Sequence, residues 1–157
     1  MLRLAPTRRR IIRVASLICL TLLVINHPTA RAQASAMRIE SFDLNMDGQV
    51  RIENMRGAIH LNVWEMPTVR VIAEKRSPLG AALESNELLL MAIQNTVTIQ
   101  CRQSNRAGRI DLTVTVPRQS QLQIVGGAWP VEVNGSLAGA VVQTTSGAIA
   151  YRVPGND

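Results

Sequence analysis

The chain has 157 residues, 46% of them hydrophobic and only 3% aromatic, with 17 Lys and Arg against 11 Asp and Glu for a formal net charge of +6. That length suits one domain, and the surplus charge lies outside it: six arginines (Arg3, Arg8, Arg9, Arg10, Arg13 and Arg31) precede Gln33 with no acid among them, while beyond them 11 basic residues balance 11 acidic ones. A nucleic-acid partner is therefore not expected, since it needs clustered Lys and Arg to displace counterions and usually aromatic stacking platforms.

Residues 1–34 read as an export signal. Arg8-Arg9-Arg10 give a basic start, residues 14–25 (VASLICLTLLVI) an apolar run, and Pro28 a polar exit. The run is short of the roughly 20 apolar residues of a membrane span, so an uncleaved anchor is the less favoured alternative. Ala30-Arg31-Ala32 and Ala32-Gln33-Ala34 both fit a cleavage site. Thr7-Arg8-Arg9-Arg10-Ile11-Ile12-Arg13 resembles a twin-arginine signal, but an ordinary basic start is preferred. Cys19 follows Ile18, where lipid attachment wants a small residue, so no lipoprotein is expected. The chain is expected to be exported (periplasmic, cell-surface or secreted) with no stable membrane span after cleavage. Past the signal only Cys101 remains, which rules out an intramolecular disulfide; it alternates in phase with Val97 and Ile99 and reads as a small buried hydrophobe.

From residue 39 the pattern is short alternating runs. Residues 39–46 place Phe42, Leu44 and Met46 on one face, and Asp47-Gly48 suits a hairpin-type turn. Val50 and Ile52 carry the next strand, 54–57 turn, and Ile59, Leu61 and Val63 point inward from another. Pro67 marks a break, and 69–73 a further strand. Residues 75–86 form the longest irregular stretch, with a candidate helical turn at Ala81-Ala82-Leu83-Glu84. Residues 87–93 and 95–101 read as two strands about Gln94-Asn95, with strand preferred over helix for ELLLMAI. After a polar loop over 103–108, Ile110, Leu112, Val114 and Val116 give the cleanest alternation, closed by Pro117. Residues 121–153 then alternate β-type runs with glycine turns: Gly139-Ala140-Val141 and Gly147-Ala148-Ile149 stand eight residues apart and echo Gly57-Ala58-Ile59.

These runs predict an all-β domain over 35–157, repetitive and solenoid-like (toast-rack or β-helix-like), with a β-sandwich as the alternative. The glycines favour stacking, because only small residues fit where one turn passes close to the next. The segments Leu112-Thr113-Val114-Thr115-Val116-Pro117, Gln121-Leu122-Gln123-Ile124 and Thr145-Ser146-Gly147-Ala148-Ile149, with Gly48-Gln49-Val50-Arg51-Ile52-Glu53-Asn54 and Gly57-Ala58-Ile59-His60-Leu61 upstream, resemble the DUF4097-type putative adhesin family over about residues 40–153. The resemblance implies an extracytoplasmic β-repeat domain with an adhesive or envelope-sensing role and no catalytic residues. Longer members continue the repeat, whereas this chain stops at Pro154-Gly155-Asn156-Asp157, as a minimal member or as part of a longer protein.

No catalytic motif emerges. Asp43-Leu44-Asn45-Met46-Asp47-Gly48 matches the start of a calcium loop, whose alternate oxygens could converge on one cation, making Asp43, Asn45 and Asp47 the candidate ligands. The twelfth position is Asn54 rather than Glu, and a strand followed by an Asp-Gly turn explains the residues better. His60 alternates outward with Asn62 and Trp64 and lacks the partners of a zinc site. Ser146 has no nucleophile elbow. No spacing pairs Asp111, Glu132 or Glu65 as glycosidase carboxylates. Trp64 and Trp129 are candidate contact residues or, alternatively, core caps; Trp129-Pro130 is the odd unit in the repeat.

The expected function is therefore a non-enzymatic, exported β-repeat module with an adhesion, binding or scaffold role at the bacterial envelope. Its partner would be an envelope protein or glycan, and self-association could use exposed strand edges. A glycan-acting hydrolase and a calcium-dependent binding module are the alternatives; otherwise no cofactor is expected.

Overall fold

The computed structural model describes residues 36–78, 80–102 and 108–153, all within the unit spanning 32–157. The expected signal peptide over 1–34, most of the expected 103–108 loop and the closing residues 154–157 lie outside the described residues. In chain order the strands are β1 (Met37–Asp43), β2 (Gln49–Asn54), β3 (Ile59–Trp64), β4 (Thr68–Arg76), β5 (Leu88–Ile93), β6 (Thr96–Cys101), β7 (Arg109–Pro117), β8 (Gln121–Gly126), β9 (Val131–Asn134), β10 (Gly139–Thr144) and β11 (Ile149–Arg152). Among the described residues there is no helix, and so none long and apolar enough to cross a membrane.

The strands form two mixed sheets. One runs β1-β4-β7-β3-β9-β11 and the other β10-β8-β2-β6-β5. The centre of each is parallel: β7, β3, β9 and β11 in the first, β6, β2, β8 and β10 in the second. Antiparallel β4 and β1 extend the first sheet, and antiparallel β5 extends the second. The chain therefore makes four two-strand rungs, β2–β3, β6–β7, β8–β9 and β10–β11, each crossing from one sheet to the other. They stack out of chain order, with the first rung between the second and third. The all-β expectation holds. The observed form combines stacked parallel rungs with sandwich-like flanking strands rather than one continuous coil.

Strict alternation drives this arrangement, because period-two side chains put one face of every strand on the shared core. Val50, Val97 and Leu122 share one register position and Ile52, Ile99 and Ile124 another. Ile59, Leu112 and Val131 share a third, and Leu61, Val114 and Val133 a fourth. All twelve are at most 3% exposed. Burying each such side chain contributes about 1.5–3 kcal/mol.

The register corrects the sequence-derived period. Leu122 aligns with Ala140 and Val131 with Ile149, a step of 18 residues. Gly139 starts β10 and Gly147 lies before β11, so their eight-residue spacing compares two halves of one rung rather than two rungs. The Asp47-Gly48 turn is likewise no hairpin, since it carries the chain from β1 in one sheet to β2 in the other. Gln94-Asn95 does close a hairpin, with Gln94 at φ 51°, and ELLLMAI supplies β5. Residues 81–84 form no helical turn.

The corners between β2–β3, β8–β9 and β10–β11 are where rungs come closest. A Cβ on Gly57 would overlap the carbonyl of Ile110, one on Gly127 that of Met55, and one on Gly147 that of Trp129. Gly57 also has φ +129°, which side chains rarely adopt. Corner amides bond the adjacent rung, as in Gly127 N to Asn54 O at 3.2 Å and Val131 N to Ala148 O at 2.9 Å. Asn54, fully buried, donates from Nδ2 to Ile110 O at 2.7 Å and accepts from Arg56 N at 3.3 Å.

The irregular stretch before β5 is pinned by a buried ion pair. Lys75 Nζ lies 2.8 and 2.7 Å from the Glu87 carboxylate oxygens and donates to Ala82 O at 2.9 Å. Glu87 Oε2 also accepts from Glu84 N at 2.9 Å.

Gly127→Ala should cost about 2 kcal/mol or more in denaturant unfolding, since its methyl meets backbone that cannot move aside. Gly139→Ala, which meets nothing within 4 Å, should stay within about 0.5 kcal/mol of the parent. Equal effects would show that the corners do not limit stacking.

Candidate functional site

The β2–β3 and β8–β9 corners border a cleft of about 780 Å³ lined by Arg56, Glu74, Lys75, Arg76, Ser77, Pro78, Gly108, Arg109 and Trp129. Glu74 and Arg76 face it from the outward side of β4 and Arg109 from that of β7, while Arg56 comes from the β2–β3 corner. Glu74 pairs with Asp111 and Arg76 with Arg109 across the antiparallel register. Asp111 is the hub. Its Oδ1 accepts from Ala58 N at 3.0 Å, and its two oxygens accept from Arg109 Nε at 3.0 and 3.2 Å. Arg76 Nε lies 3.6 Å from Asp111 Oδ2, and Arg76 Nη2 2.8 Å from Glu74 Oε2.

Trp129 completes the site. It stands two residues before Val131, the position that Gly57 holds before Ile59 and Gly147 before Ile149. The Arg109 guanidinium lies over its ring, 4.5 Å from the centroid. Such contacts are worth about 0.5–2 kcal/mol. Arg109 on β7 reaches across β3 because the intervening corner there is only Gly57 and Ala58.

The two candidate tryptophans thus differ. Trp64 donates from Nε1 to Thr68 O at 2.8 Å and closes the β3–β4 connection, whereas Trp129 lines the cleft. Composition hid the cleft, because bases and acids balance along the chain. The signals that mark it are the Trp129-Pro130 break in the repeat and the alternation of charge at Glu74, Arg76, Arg109 and Asp111.

The three candidate calcium ligands lie around the β1–β2 crossover. Asp43 ends β1, and the exposed Asn45 and Asp47 follow. Asn95 spans this turn: its Oδ1 accepts from Asn45 N at 3.1 Å, and its Nδ2 donates to Asp47 Oδ1 at 3.2 Å. The extended β2 carries Asn54 roughly 20 Å beyond Asp47, so the twelfth position of a calcium loop does not fold back. Leu44 and Val50 are buried, as a strand requires. Among the described residues no group of three or more His, Cys, Asp or Glu is placed to hold a metal. In a calorimetric titration with calcium we expect no heat above buffer; a saturable heat lost in Asp47→Asn would establish ligation instead.

His60 faces outward, with Nδ1 3.2 Å from Glu132 Oε2 on the neighbouring rung. Glu65 lies 3.3 Å from Arg118. Cys101 is buried, and that burial, followed by the charge of Glu53, pushes its thiol from 9.0 up to about 12.

No family model matches the sequence, and the curated proteins give no match. Among solved structures, the chain is similar to a putative cell adhesion protein from Clostridium sporogenes at a TM-score of 0.51 and 10% identity, over 76% of this chain and 63% of that one. A putative adhesin from Bacteroides fragilis, 12% identical, covers 72% of this chain and 55% of its own at a TM-score of 0.37. A putative lipid binding protein from Parabacteroides distasonis, 8% identical, covers 73% and 59% at 0.32. The chain thus spans less than two thirds of the length of these proteins. The Clostridium likeness shows a shared fold, and the lower scores carry no argument.

The raised thiol sets a sign for pH dependence. The folded state holds the proton, so this contribution is complete below about pH 9 and is lost as pH rises toward 12. The stability of the parent relative to Cys101→Ala should fall over that window at up to about 1.4 kcal/mol per pH unit. Native protein should resist thiol reagents at pH 8 and react on unfolding; fast native labelling would contradict the buried state.

Proposed function

We propose that the chain is an exported, non-enzymatic β-repeat binding module of the DUF4097 type, acting in adhesion or scaffolding at the bacterial cell envelope. One observation carries the reading. The β10–β11 rung repeats the core positions of its neighbours but lies at the edge of both sheets. Ala140 and Val142 stand in register with Leu122 and Ile124, and Ile149 and Tyr151 with Val131 and Val133. In the inner rungs these positions are at most 3% exposed, whereas Ile149 is 51% and Tyr151 52% exposed. With Val133 and Leu137 they line an apolar groove of about 400 Å³. Each edge strand also presents unpaired backbone groups, so an added strand gains both hydrogen bonds and apolar burial. An envelope protein, an extended segment of a glycan-bearing partner or a second copy of the chain can meet those requirements.

The fold shared with the putative cell adhesion protein from Clostridium sporogenes supports the class. The hydrolase alternative needs two carboxyl groups flanking a gap that admits water or sugar. The described residues do oppose Glu74 and Asp111 across β4 and β7, but Arg76 fills the space between them. A calcium-dependent module rests on Asp43, Asn45 and Asp47 alone.

The test is binding of the purified domain to envelope preparations, with self-association followed by sedimentation. Ile149→Lys and Tyr151→Lys should each weaken association at least tenfold while leaving the melting temperature near the parent value, because both side chains are already half-exposed. Undiminished association in the double variant would overturn the reading.

A further inference from the structure

The corner cleft is separate from the open end of the stack, and its chemistry is different. We infer that it binds an acidic glycan, with Arg76 and Arg109 receiving the carboxylate of a uronate-type sugar beside Trp129. Asp111 holds Arg109 by its Nε edge at 3.0 and 3.2 Å; Arg76 Nε lies 3.6 Å from the same carboxylate while its Nη2 is 2.8 Å from Glu74 Oε2. The terminal nitrogens of Arg109 then make no hydrogen bond to a described residue. A planar guanidinium fork held from behind is suited to bidentate capture of an oxyanion. Asp111 is itself fixed by Ala58 N at 3.0 Å, so the fork is positioned by the backbone of the corner.

Trp129 supplies the second half of the site. The fold does not require it, since the equivalent corners use Gly57 and Gly147, yet it lines the cleft with the Arg109 guanidinium on its ring. An aromatic surface beside a charged fork matches a ligand with a ring and one anionic substituent.

Lys75 is matched by Glu87, so Arg109 and Arg76 are the cations that line the cleft from the outward faces of β7 and β4. Anionic membranes are met instead by exposed clusters of several Lys and Arg; here carboxylates alternate with the cations inside a concavity. Acidic peptides that bind by strand addition need a free edge, and the corner backbone is already bonded rung to rung.

The site is tested by titrating the folded domain with an oligogalacturonate, a neutral gluco-oligosaccharide of equal length and phosphatidylglycerol vesicles. The acidic oligosaccharide should bind in a salt-sensitive manner and the neutral one should bind at least tenfold more weakly. Arg109→Gln and Arg76→Gln should each reduce binding at least tenfold, Arg109→Lys should restore part of it, and Arg152→Gln on the exposed end of β11 should change nothing. Arg56→Gln, at an exposed corner position, should weaken binding several-fold and serves as the probe if the others unfold. Equal affinity for the neutral sugar, binding to vesicles but not to the acidic sugar, or full binding in the glutamine variants would each overturn the proposal.

Discussion

Close approach of backbone to backbone at the corners is the constraint on which this structure depends. Parallel rungs must hold their strands at about 4.8 Å spacing while the chain turns from one sheet to the other. At the turn no side chain can separate neighbouring rungs, so the carbonyls of Ile110, Met55 and Trp129 sit against Gly57, Gly127 and Gly147. Amides that a turn would leave unpaired then find acceptors in the next rung. Where the corner has Asn54 or Thr144 in place of Gly126, a side chain satisfies a nearby carbonyl: Asn54 Nδ2 donates to Ile110 O of the adjacent β7 at 2.7 Å, and Thr144 Oγ1 to Gly147 O in its own turn at 2.8 Å. Among the described residues no buried side-chain polar atom is left without a partner.

The same economy governs the charged groups. Lys75 continues the inward phase of Val69, Val71 and Ala73 on β4, where an unpaired ammonium would be costly. Glu87 meets it at the threshold of β5, and the pair draws in Ala82 O and Glu84 N. A segment with few apolar residues is thereby held by polar contacts beside Leu83, which packs on the core. Removing one partner of such a pair strands the other and typically costs about 3–5 kcal/mol. Asp111 plays the corresponding outward role by joining Arg76, Arg109 and the β2–β3 corner.

Local pattern was legible in the sequence because period-two alternation reports burial directly. The inward sets Ile59-Leu61 and Ile110-Leu112-Val114-Val116, the β5–β6 hairpin and the buried Cys101 all follow from it. Pairing order was not legible. Val50, Val97 and Leu122 are interchangeable as core residues, so nothing local says that β2 lies between β6 and β8. The eight-residue glycine echo misled because glycine serves two purposes: Gly147 passes under a carbonyl, while Gly139 opens an edge strand with nothing within 4 Å. The cleft was half legible. Trp129 stood out as a break in the repeat, but its meeting with Arg109 needed the register of three strands.

The two ends of the stack differ in a way that limits how it can associate. At one end β10 and β11 present two parallel edges over the unfilled positions Ile149 and Tyr151. At the other, β5 ends its sheet in antiparallel pairing, while β1 overhangs in the first sheet with no counterpart opposite. Head-to-tail contact of copies would bring β11 to β1 in parallel and β10 to β5 antiparallel, with the two sheets one strand out of step. That offset opposes the open-ended growth to which heterologous contacts are prone. A twofold pairing of β10–β11 ends, or a partner strand that fills the apolar groove, meets no such mismatch. The short β11, with four residues and the exposed Arg152 at its end, further restricts what can pair there.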